Sequence, residues 1–304
     1  MRVLVTGASG MLGKDLVGLF YETGGYDIYT AQIDKTEIPD RKGLHSVTFD
    51  LTDSKVFSGY LHEIRPELII HCAAIVNVDS CEKDKDKALK LHSETIKQIA
   101  IDSPSSKLVY ISTDSVFDGK IGDYSESDKP NPLNYYAKTK WEGEKNTLKL
   151  VKNSMVVRTN IYGFHLQPNR ISLAEWALDN LQNKRSIGGF IDVWFNPVYT
   201  MQLAEAILKL INIKFSGIIN VAAGTVVSKY SFLTELARIF EYDPGLIEMK
   251  SVDSMNFTAR RPCNTTLNLQ LLVKTIGIIP SLFEGLTQFH DDYQRFKRNN
   301  EQPI

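Results

Sequence analysis

Tyr136 and Lys140 are the two residues whose types and spacing best suit proton transfer. On a helix, positions i and i+4 share one face, so the Lys140 ammonium can lower the pKa of the Tyr136 phenol from its reference of about 10. A phenol held in this way can protonate an alkoxide as a hydride arrives. The same spacing also occurs by chance on solvated helices, so the pair needs support from the elements that position it.

A glycine-rich turn near the amino terminus is the second chemical feature. Val3 to Val5 predict a buried strand and Met11 to Tyr21 a helix, joined through a G-x-x-G-x-x-G run. Glycine lets the backbone turn tightly and approach a pyrophosphate, which the amino-terminal end of the helix attracts. Many tight turns carry glycine without binding anything, but the strand before and the helix after favour a dinucleotide site. The residues predicted to hold the cofactor here are Gly7, Ser9, Gly10, Met11, Leu12 and Gly13.

Hydroxyl side chains follow a third strand-like segment. Residues 107–113 predict a strand that ends in Ser112 and Thr113. In doubly wound folds, ligands bind beyond the carboxyl ends of the strands. The turn-rich run from Asp128 to Asn134 would then start the helix that carries Tyr136.

The glycine spacing resembles the extended branch of the short-chain dehydrogenase/reductase superfamily, and further motifs narrow the resemblance to the dTDP-4-dehydrorhamnose reductase family. Four motifs occur in order, and the likeness runs from Met1 to about residue 290. They are Ala73-Ala-x-x-Asn77-Val78-Asp79-x-x-Glu82, Ser-Thr-Asp-x-Val-Phe-Asp-Gly at 112–119, Pro-Leu-Asn-x-Tyr-x-Lys-Thr-Lys at 132–140, and Ala259-Arg260-Arg261-Pro262-x-Asn264-x-x-Leu267-Asn268.

The resemblance implies an activity and roles for particular residues. Family members reduce the C4 keto group of a nucleotide-linked 6-deoxy sugar with a nicotinamide cofactor. Carried onto this chain, Thr113 would bond the substrate carbonyl, Tyr136 would donate the proton, and Lys140 would orient the cofactor ribose and tune Tyr136. Asp114 would assist Thr113. The residues expected near the substrate are Asp114, Asn160, Asn196 and Arg261, the last because a guanidinium suits a diphosphate.

Three positions depart from the family pattern. Asn160 and Ile161 stand where these reductases usually carry a Ser-Trp-Val run that touches the sugar, so the identity of the sugar stays open. Ser115 replaces a common Tyr, which leaves that part of the pocket smaller. His92 stands near a common Asn, and we expect it to be a partly solvated helix residue rather than a catalytic group.

The choice of nicotinamide cofactor is open, as NADPH or NADH. An acidic residue after the second strand binds a ribose 2′-hydroxyl, whereas a basic one suits a 2′-phosphate. Asp34 favours NADH and Lys35 permits NADPH, with Gln32 also within reach. By resemblance, Asp50 and Leu51 would contact the adenine, and Ala73 and Ala74 would line the cofactor after the fourth strand. Alternatively, the residues around Asp50 have no contact with the cofactor, and Asp50 or Thr52 only caps the helix of residues 53–64.

Composition agrees with a cytoplasmic enzyme. The chain has 304 residues, 43% of them hydrophobic, and a net charge of −1 gives no bulk attraction for nucleic acid or membranes. No apolar run reaches membrane length, and the glycine turn comes too early for a signal peptide. Three cysteines without a C-x-x-C pair indicate a reducing compartment. We expect no metal site; the sequence gives no indication for magnesium, and a homodimer is one option.

Strands alternating with helices predict an α/β fold: a Rossmann-type doubly wound parallel sheet with a smaller, discontinuous α/β substrate lobe. We place the dinucleotide-binding domain at 1–162, with returning segments near 190–224, and the substrate-binding lobe mainly at 163–304. Tyr162, Trp176 and Phe232 are expected in the core. The predicted strands are 2–6, 26–32, 46–50, 67–74, 107–113, 154–159 and, less regularly, 217–224, and the later helices are 169–183, 201–210 and 232–240.

Three functions remain at this stage. The favoured one is a nucleotide-sugar 4-ketoreductase. An epimerase or dehydratase of the same extended family would instead turn over without net consumption of NAD(P)H. A non-catalytic dinucleotide-binding subunit is the third, because the family's relatives include a regulatory partner of methionine adenosyltransferase and fold alone does not exclude it.

Overall fold

The structure is a computed structural model that describes residues 1–34, 41–166, 170–255 and 257–301. Strands and helices alternate through most of the first half of the chain, as predicted, but no helix lies between the second and third strands among the described residues. The first half comprises β1 (Arg2–Thr6), α1 (Met11–Thr23), β2 (Asp27–Gln32), β3 (Leu44–Thr48), α2 (Ser54–Ile64), β4 (Leu68–His71), α3 (Val78–Lys83), α4 (Lys85–Leu89), a π-helical turn (Lys90–Glu94), α5 (Thr95–Asp102), β5 (Lys107–Ile111), a 3₁₀ turn (Asp114–Val116), α6 (Tyr135–Leu150) and β6 (Ser154–Arg158).

The second half contains shorter strands and the remaining helices. These are β7 (Ile161–Tyr162), α7 (Leu173–Gln182), β8 (Ile187–Phe190), β9 (Trp194–Phe195), β10 (Val198–Tyr199), α8 (Thr200–Asn212), β11 (Gly217–Asn220), β12 (Val227–Ser228), α9 (Lys229–Ile239), a 3₁₀ turn (Pro244–Leu246), β13 (Ile247–Lys250), a 3₁₀ turn (Val252–Ser254), α10 (Gln270–Ile276) and α11 (Leu282–Glu301).

A seven-stranded sheet forms the centre of the fold, in the order β11-β6-β5-β4-β1-β2-β3. Every neighbouring pair in it is parallel. The strand order reverses between β1 and β4, and in open α/β sheets this switch point is where a ligand crevice opens. The predicted α/β Rossmann-type sheet is therefore confirmed, and β11 joins it next to β6.

The core is divided between the sheet and a second cluster. Although α8, β11 and α10 come late in the chain, they pack against the sheet, since Leu203, Ile219 and Leu272 belong to its buried cluster. A separate cluster joins α7, α9 and α11 through Leu178, Leu236, Phe289 and other apolar residues. The domain boundary at 162/163 stays a prediction. The packing of α8, β11 and α10 against the sheet supports the prediction that later segments return to it.

Local sequence signals explain several helix starts and correct three expectations. Asn134 caps α6 by accepting a bond from the Ala137 amide, as the turn-rich run before it suggests. The cap of α2 is Asp53, so the assignment of that role to Asp50 or Thr52 was wrong. Trp176 is 39% exposed on α7 and is not a core residue, whereas Tyr162 and Phe232 are buried. His92 is fully buried in the π-helical turn rather than partly solvated.

Among the described residues, no helix is both long and apolar enough to cross a membrane.

Candidate active site

The glycine turn lies at the switch point of the sheet. Gly7 has a φ of +68°, and a Cβ added there would lie 2.7 Å from the backbone nitrogen of Ala73. A methyl group on Gly13 would overlap the carbonyl oxygen of Gly7. The turn therefore needs glycine both for its backbone conformation and for the close approach of α1 to the strand before it. These steric limits fit a turn whose backbone faces a pyrophosphate, with Gly10 at the amino-terminal end of α1.

The other predicted cofactor residues lie along the same edge of the sheet, and two of them have contacts of their own. The Asp50 carboxylate accepts bonds from the amide and hydroxyl of Thr52, at 2.9 and 2.8 Å, and its pKa is lowered. Asp34 pairs with the Arg170 guanidinium at 2.7 Å. Ser9, Leu12 and Leu51 are buried, whereas Met11, Ala73 and Ala74 are half-buried. Lys35, the residue suggested to permit NADPH, lies outside the described residues.

The predicted catalytic residues lie together beyond the end of β5. Thr113 is buried and Tyr136 half-buried, and the Thr113 hydroxyl is close enough to lower the pKa of the Tyr136 phenol. Thr113 also donates to Asp114 at 3.1 Å and accepts the Ser115 amide at 3.2 Å. One hydroxyl thus connects the phenol to the carboxylate next to it.

Lys140 lies one turn further along α6 and is buried. Its Nζ donates to the carbonyl of Ile111 at 2.6 Å and lies 4.1 Å from the centre of the Tyr110 ring. Burial lowers the pKa of Lys140 to about 7, against the opposing effect of the Glu144 carboxylate. The ammonium is therefore held at the carboxyl end of β5 by a backbone acceptor and an aromatic face.

The structure differs from our expectation about how the phenol is tuned. Burial raises the pKa of Tyr136, and the hydrogen bond with Thr113 is the contact that lowers it. Lys140 instead directs its ammonium at Ile111. Tyr136 is thus a protonated phenol at neutral pH, which is the form that a proton donor requires.

Asp114 collects four hydrogen bonds from side chains and is almost completely buried. Asn160 donates to it at 2.6 Å and Thr265 at 2.5 Å, both to Oδ2. Thr113 and Ser115 donate to Oδ1 at 3.1 and 3.2 Å. The prediction that Asp114 assists Thr113 is therefore consistent with a direct hydrogen bond between them. Asn160, predicted near the substrate, bonds the same carboxylate.

Asn196 and Arg261 have protein partners in the structure. The amide of Asn196 donates to the Leu267 carbonyl at 2.9 Å and accepts the Leu267 amide at 3.0 Å, so both of its polar ends are used. Arg261 bonds Asp79 at 3.3 Å and remains partly exposed. It also lines a cleft of about 760 Å³ between the loop after β5 and residues 252–263.

Two buried groups support the site and were not predicted from the sequence. Glu144 accepts the Arg158 guanidinium at 3.0 and 2.7 Å and the Ser112 hydroxyl at 2.6 Å, which joins α6, β6 and the end of β5. Tyr136, Lys140 and Glu144 follow each other at spacings of four residues, so they share one face of the helix, and this spacing could have indicated Glu144 as a member of the site. Thr265, which bonds Asp114, gave no comparable signal, because it comes 151 positions later in the chain.

Among the described residues, no group of three or more His, Cys, Asp or Glu side chains is arranged to hold a metal ion.

A parallel sheet in this strand order, a glycine turn at its switch point and a Tyr-x-x-x-Lys helix beyond β5 define an extended short-chain dehydrogenase/reductase. The family model described as RmlD substrate binding domain matches residues 1–295. The chain belongs to that family, and the resemblance stated from its motifs is confirmed.

Individual relatives match over nearly the whole chain. The dTDP-4-dehydrorhamnose reductase of Aggregatibacter actinomycetemcomitans is 28% identical over 318 aligned positions, covering 98% of this chain and 97% of the relative. Methionine adenosyltransferase 2 subunit beta of Danio rerio is also 28% identical, covering 96% and 92%. The crystal structure of dTDP-4-dehydrorhamnose reductase from Bacillus anthracis str. Ames in complex with NADP superposes with a TM-score of 0.84 at 29% identity, covering 96% of this chain and 99% of that one.

Proposed function

We propose that the protein reduces the 4-keto group of a nucleotide-linked 6-deoxy sugar, with NADPH or NADH as the hydride donor. The observation that carries this proposal is the grouping of Thr113, Tyr136 and Lys140 beyond the end of β5, at the same edge of the sheet as the glycine turn. A hydroxyl, a protonated phenol and a buried ammonium are the groups that a ketone reduction requires.

Each residue has a distinct part in the proposed reaction. The Tyr136 hydroxyl would donate to the substrate ketone oxygen, and the Thr113 hydroxyl would join it there by turning its proton from Asp114 to that oxygen. A bound nicotinamide would supply the hydride to the carbonyl carbon. Tyr136 would give its proton to the oxygen, and solvent would then reprotonate the phenolate. Lys140, whose ammonium lies at the Ile111 carbonyl, would bond the cofactor ribose.

The glycine turn and the ends of the first strands would hold the cofactor. Gly7, Gly10 and Gly13 allow the close backbone packing of the turn, and the amino-terminal end of α1 would face the pyrophosphate. At the end of β2, the ion pair with Arg170 offsets the negative charge of Asp34. This arrangement supports acceptance of either a ribose 2′-hydroxyl or a 2′-phosphate, so both cofactors remain in the proposal. We further propose a cytoplasmic location, and we keep a homodimer as an option to be tested by sedimentation.

The test is a panel assay. Oxidation of NADPH and of NADH is followed with dTDP-, GDP- and CDP-linked 4-keto-6-deoxy sugars, and the products are identified by NMR. We expect one equivalent of reduced cofactor to be consumed for each sugar that is reduced. Product formation without net cofactor oxidation would favour an epimerase or dehydratase instead.

A non-catalytic subunit is a second candidate, because the chain is similar to methionine adenosyltransferase 2 subunit beta. The presence of Thr113, Tyr136 and Lys140 together counts against it. A pull-down that recovers a stoichiometric enzyme partner, together with no turnover on the whole sugar panel, would favour this candidate over the reductase.

A further inference from the structure

Lys229 is a cation close to the site that the proposed reaction does not use. It is the first residue of α9, and its side chain is half-buried. Its Nζ lies 3.3 Å from the centre of the Phe195 ring. Within the described part of the chain, the ammonium has no recorded hydrogen bond or ion pair, so the aromatic face is its one recorded contact.

The surroundings of Lys229 leave its charge poorly compensated. Burial lowers the pKa of this lysine to about 8, and the carboxylate of Asp114 is the group that acts to keep it charged. Asp114 already accepts four hydrogen bonds from neutral side chains. A partly buried ammonium without a direct partner is costly unless an anion completes its environment.

Backbone pairing links Lys229 to both sides of the candidate site. Ser228, the residue before it, pairs with Trp194 across β12 and β9. The Trp194 amide donates to the Cys263 carbonyl at 2.7 Å, two residues beyond Arg261. The Trp194 carbonyl accepts the amide of Thr265 at 3.1 Å, and the hydroxyl of Thr265 bonds Asp114. Main-chain hydrogen bonds thus join the start of α9 to the segment that carries Arg261 and Thr265, and the Thr265 hydroxyl extends this link to Asp114.

We infer that Lys229 binds a phosphate oxygen of the substrate's diphosphate, as a second cation in addition to Arg261. The inference rests on the proposed function, since every sugar nucleotide in the proposed class carries a diphosphate. Arg261 is already shared with Asp79 at 3.3 Å, so it does not balance such a group alone. An ammonium acts as a point charge toward phosphate and needs no bidentate geometry.

The experiment titrates the full chain with dTDP and with thymidine by calorimetry. Lys229→Met should weaken dTDP binding roughly 10- to 100-fold, the range expected for a hydrogen bond to a charged group, and leave thymidine binding unchanged. Lys229→Arg should recover most of the dTDP affinity. The matched control is Lys274→Met, which removes an exposed lysine of α10 and should behave as the wild type.

Three outcomes would overturn the inference. They are dTDP affinity that is the same in Lys229→Met and wild type, an equal loss for dTDP and thymidine, and a wild-type protein that does not prefer dTDP over thymidine. Failure of the proposed function looks different, because the wild type would then oxidise no NAD(P)H with any sugar of the panel. A wild type that reduces a keto sugar, with KM unchanged by Lys229→Met, overturns the assignment of Lys229 alone.

Discussion

The Nδ1 atom of His92 lies 2.8 Å from the hydroxyl of Thr139, on the helix turn between Tyr136 and Lys140. Nε2 of the same ring accepts the amide of Ile75 at 2.9 Å, so Nδ1 carries the proton and donates it to Thr139. Burial lowers the pKa of His92 to about 2, which keeps the ring neutral and this tautomer in place. His92 therefore joins the segment after β4, which is predicted to line the cofactor, to the helix that carries the proton donor.

Removing the acceptor of this bond should destabilise the protein. Thr139→Val leaves the Nδ1 proton of His92 without a partner in the core, which costs about 1–3 kcal/mol of unfolding free energy. Urea denaturation measures the loss. The matched control is Thr147→Val on the same helix, because the buried hydroxyl of Thr147 has no hydrogen-bond partner among the described residues and its removal should cost little. Equal stability of the two variants would contradict a structural role for the His92 bond.

Helix α1 should tolerate a methyl group on one of its glycines, Gly18, and not on another, Gly13. Gly13→Ala forces the added methyl against the Gly7 carbonyl, so we expect a loss of about 1–3 kcal/mol in stability and weaker binding of NADPH. Gly18→Ala adds its methyl to open space and should stabilise the helix by about 0.4–1 kcal/mol. Thermal unfolding and fluorescence titration with NADPH provide the two measurements. A Gly13→Ala protein with wild-type affinity would show that the turn does not face the cofactor.

The buried pair of Arg158 and Glu144 should be far more important for stability than a pair on the surface. Both side chains are 2% exposed, so Arg158→Met leaves an uncompensated carboxylate and should cost about 3–5 kcal/mol. Adding Glu144→Met should recover part of that loss, because the carboxylate that Arg158→Met left without its partner is then removed as well. Arg185→Met breaks the exposed pair with Asp179 and should cost no more than about 1 kcal/mol. Similar losses from the buried and the exposed arginine would contradict this account.

Lys140 should impose a pH dependence on stability. Its pKa is about 7 in the folded protein, against about 10.4 in an unfolded chain. Between these values the unfolded chain binds a proton that the folded protein has released, so this lysine makes stability rise with pH, by at most about 1.4 kcal/mol per pH unit. Below pH 7 both states are protonated, and the contribution is constant.

The measurement compares denaturation curves of wild type and Lys140→Met between pH 7 and 9.5. The stability of the wild type relative to Lys140→Met should rise with pH over this range. Lys229 and the other titrating groups are present in both proteins, so their contributions cancel in the difference. Parallel curves for the two proteins would show that Lys140 keeps an ordinary pKa in the fold.

The sheet could be predicted from the sequence because each strand is marked by a short apolar run of neighbouring residues. Apolar runs gave the strands that form β1, β2, β4, β5 and β6, and the turn before Tyr135 gave the start of α6. Several boundaries shifted, however: residues 46–50 were predicted where β3 spans Leu44–Thr48, 67–74 where β4 ends at His71, and 217–224 where β11 ends at Asn220. Short strands such as β7 and β9 were not predicted, since two residues carry no periodicity.

The candidate site was predictable where spacing along one element sets the geometry. Tyr136 and Lys140 share a helix, and Thr113 follows a strand, so their grouping follows from secondary structure. Contacts across the fold were not predictable in this way. No pattern among neighbouring residues indicates that Thr265 bonds Asp114. None indicates that His92 is buried against Thr139 rather than solvated.

The most direct test of the central claim is the rate of NAD(P)H oxidation by wild type and Tyr136→Phe with the keto-sugar nucleotide that the panel identifies. The substitution removes only the hydroxyl, so cofactor affinity should be retained while kcat falls by about 10²–10⁴-fold, the usual contribution of a positioned proton donor. A Tyr136→Phe protein that keeps wild-type kcat would contradict the account, because the proton would then have to come from another group.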